Sequence, residues 1–276
     1  MLHAKKSLGQ NFLNSKAIAR DIVRASELCT HMFDIRAIWD GKKEMPKIVL
    51  EIGPGKGFLT EELLRSGVRV IGVEKDDRMI PILSEKFAEE IATGQLTLVH
   101  DDVLVFIKKH TWRERYKVVA NIPYYLTGII LRTFLEASVK PETMILMVQK
   151  EVALRIIARD KKESILSTAV KAYGIPRIVK KVPARYFTPA PKVDSAILAI
   201  ENISNKNFSN KDTEKLFFKI VHAGFAHKRK KLVGNLKPSL GNEIVDIFEK
   251  LGINVNVRAE DITLDQWLKI TKLRVP

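Results

Sequence analysis

Cysteine is almost absent from this chain of 276 residues: Cys29 stands alone. A single thiol cannot build a disulfide framework or a Cys-rich zinc module. The expected setting is reducing and cytoplasmic. The six histidines fall without metal-ligand spacing, so no metal is expected. No apolar run approaches the ~18–20 residues that a membrane span requires. The opening MLHAKKSLGQNFL has no apolar core of the secretory type, so no export signal is expected. Acidic residues are also in short supply: 32 Asp and Glu face 47 Lys and Arg, a formal charge of +15. Such an excess speaks to polyanionic partners and says nothing of fold. No basic amphipathic helix with a bulky aromatic face is evident, which disfavours a membrane surface and leaves nucleic acid as the leading partner.

What is present is enough to bury a core, since 46% of residues are hydrophobic. Short β-branched runs read as strands at 48–53 (IVLEIG), 69–74 (RVIGVE), 96–100 (LTLVH), 117–120 (KVVA) and 144–148 (MILMV). Helical patterns lie between them, as at 58–66 and 78–92. This alternation predicts an α/β fold with a parallel sheet covered on both faces. Residues 12–28 read as a helix capped by Asn14 or Ser15. A polar connection, 31–47, precedes the first strand. The Asn-, Ser- and Lys-rich stretch 203–213 reads as a linker. After it the strand pattern stops, and 214–223, 228–237, 243–251 and 264–272 read as helices. The expected domains are therefore 1–203 and a small all-α domain, 204–276.

The strand 48–53 runs straight into Gly53-Pro54-Gly55-Lys56-Gly57 and then a helix. Glycines let the chain turn tightly and let a ligand approach the main chain, while the helix start offers unpaired N–H groups. Glu74 ends the next strand, where a carboxylate can accept ribose hydroxyls. The loop lacks the Gly-Lys-Ser/Thr of a Walker sequence, which excludes ATP binding of that type. The pattern Glu51-x-Gly53-x-Gly55-x-Gly57 resembles motif I of S-adenosylmethionine methyltransferases. Asp101 and Asp102 follow the third strand, and either can accept an adenine amine.

The fourth strand ends in Asn121-Ile122-Pro123-Tyr124-Tyr125. Proline stops the ladder and leaves carbonyls bare. Adenine N6 is a poor nucleophile because its lone pair is delocalised. Two acceptors, the Asn121 side-chain oxygen and the Ile122 or Pro123 carbonyl, can hold both N6 hydrogens and aim that lone pair. Tyr124 can stack on the base. A cytosine-C5 mechanism needs a cysteine nucleophile, and Cys29 lies far upstream. A related motif, N-P-P-Y, serves glutamine methylation.

Five blocks together carry a specific resemblance: Ser7-Leu8-Gly9-Gln10-Asn11-Phe12-Leu13, residues 50–57, residues 121–125, VQKE at 148–151, and FTPAPKVDS at 187–195. The chain resembles the ribosomal RNA adenine N6,N6-dimethyltransferases over nearly its full length. Residues 225–232 (FAHKRKKL), Asn235-Leu236 and Arg258-Ala259-Glu260-Asp261 are similar to the small-subunit, KsgA-type branch and not to the Erm-type large-subunit enzymes. The resemblance implies a Rossmann-like seven-stranded methyltransferase sheet with helices on both faces, plus the small helical domain. It implies S-adenosyl-L-methionine as cofactor, and as target two adjacent adenosines in the 3′-terminal hairpin loop of small-subunit (16S) rRNA, within a pre-30S-like particle. A role in small-subunit biogenesis and a monomeric state go with it. By carry-over, Asn11, Leu13, Gly53, Gly55, Glu74, Asp102 and Asn121 bind the cofactor. Asn121, Pro123, Tyr124 and Phe187 form the reaction pocket, with Phe187 the stacking wall opposite Tyr124. The rivals are an Erm-type enzyme and a non-catalytic assembly or transcription factor on the same fold. Residues 31–47 exceed the family's usual link into the first strand.

The basic excess is localised. Residues 150–192 carry a net +8 and residues 206–237 a net +7, which together account for the whole of it. Phosphate contacts supply affinity and register. The run Lys228-Arg229-Lys230-Lys231 is the expected RNA-backbone contact.

Overall fold

The computed structural model describes residues 5, 8–26 and 48–274. Ser7, Cys29 and the connection 31–47 lie outside the described residues. By internal contacts the chain divides into a sheet unit, residues 1–153 with 177–203, and a helical unit, residues 154–176 with 204–276. The expected boundary at 203/204 differs from this division only in 154–176, whose residues pack with the C-terminal helices.

The sheet unit is built on strands β2 (Ile48–Ile52), β3 (Arg69–Glu74), β4 (Leu96–His100), β5 (Tyr116–Asn121), β6 (Met144–Gln149), β7 (Ile175–Val182) and β9 (Ser195–Glu201), in the order β4-β3-β2-β5-β6-β9-β7. From β4 to β6 every pairing is parallel. The central strands are buried on both faces, with Val49, Leu50, Val118, Val119 and Ala120 fully enclosed, which is why they read as unbroken apolar runs. The sheet is not wholly parallel, however. Strand β9 enters antiparallel beside β6, pairing Met147 with Ile197 and Gln149 with Ser195. The seven-strand count is the one the resemblance implies, but β7 and β9 are not among the strand runs visible in the sequence.

Two helical expectations are also corrected. Residues 12–28 are not one helix: Phe12–Leu13 form a short strand, β1, paired antiparallel with β8 (Phe187–Thr188), and the helix is Lys16–Ala25. Ser15 caps that helix by accepting the Ile18 N–H, while the Asn14 amide is drawn to the Thr188 hydroxyl at 2.9 Å. The apolar periodicity of the segment was real, but a strand partner 174 residues away claimed its first turn. Residues 78–92 form two helices, Met79–Lys86 and Ala88–Ala92, broken at Phe87, whose backbone leaves the helical region.

In the helical unit, Ile165–Tyr173, Lys211–Gly224, Leu232–Leu240, Ile244–Lys250 and Leu264–Lys272 surround a core that includes Phe217, Leu236, Phe248 and Trp267. The basic run 228–231 is not helical as expected. It occupies the turn before Leu232–Leu240. Asn235 pins that turn, its amide donating to the Gly224 carbonyl at 2.6 Å and the His227 carbonyl at 3.1 Å. Among the described residues no helix is long and apolar enough to cross a membrane.

Candidate active site

Strand register assembles the site. In a doubly wound sheet the crevice opens at the carboxyl ends of the strands where their order reverses, here between β2 and β5. Ile52 lies opposite both Val73 and Ala120, so Gly53, Glu74 and Asn121 emerge side by side from three neighbouring strands. They border a cavity of about 320 Å³, whose walls include Asn11, Leu13, Gly53, Gly55, Glu74, Asp101, Asp102, Asn121, Pro123 and Tyr124. The residues expected to bind the cofactor and the target base therefore converge on this cavity, Phe187 excepted. Phe187 is 3% exposed, paired to Leu13 inside the hydrophobic core, and is not on the wall of this cavity.

Each polar wall residue has a defined state. The buried Glu74 carboxylate accepts the Gly55 N–H at 2.8 Å and the Asp76 N–H at 2.8 Å. Burial pushes its pKa up, and those two donors act against the shift. Asp102 starts the helix Val103–Lys109 by accepting the Leu104 N–H, and its second oxygen takes the Lys75 ammonium at 2.7 Å. Partial burial opposes its ionisation, but the Lys75 and Leu104 hydrogen bonds outweigh burial and hold the carboxyl below its usual value. Asp101 accepts the Asp102 N–H at 2.7 Å. Both carboxylates border the cavity, so its walls do not choose between them.

The Asn121 amide donates through Nδ2 to the Asn11 main-chain carbonyl at 3.0 Å. That bond fixes which end of the amide is which and leaves Oδ1 as an acceptor. The Tyr124 hydroxyl shares a 2.6 Å hydrogen bond with the Ser195 hydroxyl, tying the ring to β9, and burial pushes its phenol upward. Asn11 thus meets Asn121 through its backbone, which no side-chain reading could anticipate.

Three further residues take a part that the sequence alone does not assign them. Glu51, the first letter of the glycine pattern, is 1% exposed, and its Oε2 has no hydrogen-bond partner among the described residues. A glutamate within an unbroken apolar strand was the available signal. Asp76 is fully buried and binds the Gln10 amide at 2.8 Å and the Arg78 guanidinium at 2.7 Å, latching the N-terminal segment to the end of β3. Lys56 sits 5.2 Å above the Phe12 ring.

Burial pushes Glu51 up to about 8 from an ordinary value near 4.5. The native state then keeps a proton that the unfolded chain has lost across that window, so this group's contribution to stability falls as pH rises from 4.5 through 8. Melting temperatures of Glu51→Gln and the parent measured from pH 5 to 9 should diverge upward, with the Gln protein losing less stability. Parallel curves would show that Glu51 is already ionised at neutral pH.

The sheet order and the glycine loop beside a carboxylate define a Rossmann-like methyltransferase. The sequence matches the ribosomal RNA adenine dimethylase family model over residues 1–274. The chain belongs to that family. It is 39% identical over 274 residues to a Ribosomal RNA small subunit methyltransferase A from Dehalococcoides mccartyi, covering 98% of this chain and 88% of that protein. Its fold is shared with a dimethyladenosine transferase from Plasmodium falciparum (TM-score 0.75, 24% identity, 94% of this chain and 95% of that one). It is shared about equally with the 23S rRNA methyltransferase ErmE (TM-score 0.73, 24% identity, 95% and 98%). The fold alone therefore does not separate the two branches.

Proposed function

We propose that this protein uses S-adenosyl-L-methionine to dimethylate N6 of two adjacent adenosines in the 3′-terminal hairpin loop of small-subunit rRNA. The observation that carries this reading is the Asn121 amide, fixed by the Asn11 carbonyl with its oxygen left as an acceptor, on the wall of the cavity that Glu74 and the glycine loop share. The cavity fits the cofactor's chemistry. The unpartnered Glu51 Oε2 suits a cationic or N–H group, Glu74 suits ribose hydroxyls, and Asp102 suits an adenine amine. Asn11, Leu13, Gly53 and Gly55 complete the cofactor walls. The cofactor supplies an electrophilic methyl group.

The chain's own part is positioning. Asn121 Oδ1 accepts one N6 hydrogen of the target base. Of the two candidate carbonyls, that of Pro123 already accepts the Leu126 N–H at 2.9 Å, which favours Ile122 as the second acceptor. Pro123 keeps the segment from re-entering a ladder. Tyr124 provides a stacking face. A second wall from Phe187 requires its ring to be uncovered as the base enters. No thiol or metal is needed. We place the enzyme in the cytoplasm as a monomer acting on a pre-30S-like particle, with a part in small-subunit biogenesis.

Incubating each ribosomal subunit with labelled cofactor, followed by primer extension, tests the target. The expected outcome is label and a strong stop at adjacent adenosines in small-subunit RNA, because dimethylated N6 blocks pairing. Label confined to the large subunit would favour the Erm-type reading, and no label in either would favour a non-catalytic factor. Among the proteins that the chain matches, the small-subunit naming of the 39% identical relative favours the first outcome.

The helical unit is proposed to hold RNA. Lys228, Arg229, Lys230 and Lys231 are all exposed in the turn that Asn235 pins, and Lys231 also donates to Asn256 at 2.6 Å. Changing all four to alanine should weaken RNA binding while cofactor binding is unchanged. The slope of log K against log salt should become shallower by roughly 3, the order expected for losing several phosphate contacts. An unchanged slope would remove the turn from the RNA interface.

A further inference from the structure

Next to Tyr124 stands a second tyrosine that the proposed chemistry does not use. Tyr125 borders the same cavity, yet it is 64% exposed, whereas Tyr124 is partly buried. The ring is nonetheless held. Its Cε1 and Cδ1 lie against Gly9, where an added Cβ would stand only 2.9 and 3.1 Å away. The backbone beneath it is a tight turn, Tyr124–Leu126, closed by the Leu126 N–H to the Pro123 carbonyl and by the Thr127 hydroxyl to the Tyr124 carbonyl at 3.0 Å. One side of the ring therefore packs on the bare backbone of the N-terminal segment, and the rest is presented to solvent at the cavity mouth.

The surface continues outward from there. The turn runs directly into the helix Thr127–Leu135, whose buried side is Ile130, Leu131, Phe134 and Leu135. On its exposed side stand Ile129, 47% exposed, and Arg132, whose guanidinium holds Glu136 at 3.1 Å. Ile129 and Arg132, three residues apart, share a helix face. Lys75, which borders the same cavity, is exposed and bound to Asp102. An aromatic ring, then an aliphatic side chain, then a cation, leading away from the pocket, match the chemistry of a single-stranded nucleic acid. Its bases offer π-faces and its backbone offers negative charge.

We propose that Tyr125 is a second base platform: it stacks the nucleobase that adjoins the adenine held at Asn121, with Ile129 against its outer edge and Arg132 facing the chain that leaves. This subsite rests on the reading of the Asn121 pocket as the place where an RNA adenine is methylated. It gives the enzyme a means to engage two neighbouring bases at once. Stacking is tolerant of base identity, so the platform selects an unpaired neighbour and not a particular letter.

Three variants test it: Tyr125→Phe, which keeps the ring, Tyr125→Leu, which keeps apolar bulk without it, and Tyr125→Ala. Methylation of unmethylated small ribosomal particles is followed with KM measured separately for particle and cofactor. The second readout is a hairpin RNA with 2-aminopurine beside the target adenosine. Leu and Ala should raise the KM for the particle about tenfold, in the range a lost base–aromatic stack supplies. Both should leave the cofactor KM within about twofold. Phe should match the parent, and 2-aminopurine fluorescence should be quenched by the parent and Phe proteins but not by Leu. A Leu protein that matches the parent in KM and quenching would overturn the subsite. So would a cofactor KM that rises in step with the particle KM, because the ring would then only support the Gly9 segment. A parent that methylates no adenosine in either subunit would instead defeat the reading of the pocket itself.

Discussion

Replacing Asn121 with alanine should leave a folded protein that binds cofactor and RNA yet transfers almost no methyl groups. Asn121 is only partly buried at the end of β5, so its loss opens no core cavity. What disappears is the Oδ1 acceptor that the Asn11 carbonyl holds in place through the other end of the amide. Removing one preorganised hydrogen-bonding group from a reacting centre costs on the order of 100-fold or more in turnover. Labelled-methyl incorporation at saturating cofactor and RNA should fall by about that factor, with the RNA dissociation constant within a few-fold of the parent. Turnover close to the parent's would sink the proposed mechanism. The same variant also separates catalysis from any assembly role. A cell lacking the protein that is rescued for ribosome assembly by the Asn121→Ala form would need the protein's presence and not its chemistry.

The second large effect is structural and falls on the glycine loop. Gly57 has φ of +74° and starts the helix Phe58–Arg65. A Cβ there would lie 2.6 Å from Phe87 Cε2, 2.9 Å from its Cζ and 3.1 Å from Leu83 Cδ2. Gly57→Ala therefore combines a left-handed backbone with overpacking of a buried ring, and should destabilise the protein by about 2–5 kcal/mol. Chemical denaturation would read this directly, and cofactor binding should weaken because the loop between Gly53 and Gly57 must shift. Adding Phe87→Leu should recover the steric share but not the backbone share. A Gly57→Ala cost that is the same in the Phe87→Leu background as in the parent would assign the whole of it to the backbone.

Much of the cavity wall is legible in the sequence because the informative features are local. A glycine loop lies between a strand and a helix that touch it in sequence. Glu74 and Asn121 each end a strand whose apolar run is visible by itself. What stayed illegible depended on partners far along the chain. The segment Phe12–Leu13 carries helical periodicity but pairs with Phe187–Thr188. Strand β9 is apolar enough to be a helix or a strand, and only its antiparallel ladder with β6 decides. The basic run was placed on a helix by composition, while Asn235 holds it as a turn. The resemblance gives Phe187 as the wall opposite Tyr124, and only the tertiary structure shows that pairing with Leu13 buries its ring.

The sequence by itself determined the class of chemistry. A glycine loop with Glu74 points to a nucleoside-bearing cofactor, Asn121-Ile122-Pro123-Tyr124 offers the acceptors that the proposed transfer to an amine uses, and that chemistry needs neither a thiol nor a metal. It also localised the +15 charge to two stretches. Only the tertiary structure decided how these parts act together. Parallel register brings Gly53, Glu74 and Asn121 to one edge of the sheet. A main-chain carbonyl 110 residues away sets which end of the Asn121 amide can accept a hydrogen bond. The reason is general: residue type and local spacing record which groups are available. The direction in which each group points depends on hydrogen bonds and close contacts between segments that are far apart in the chain.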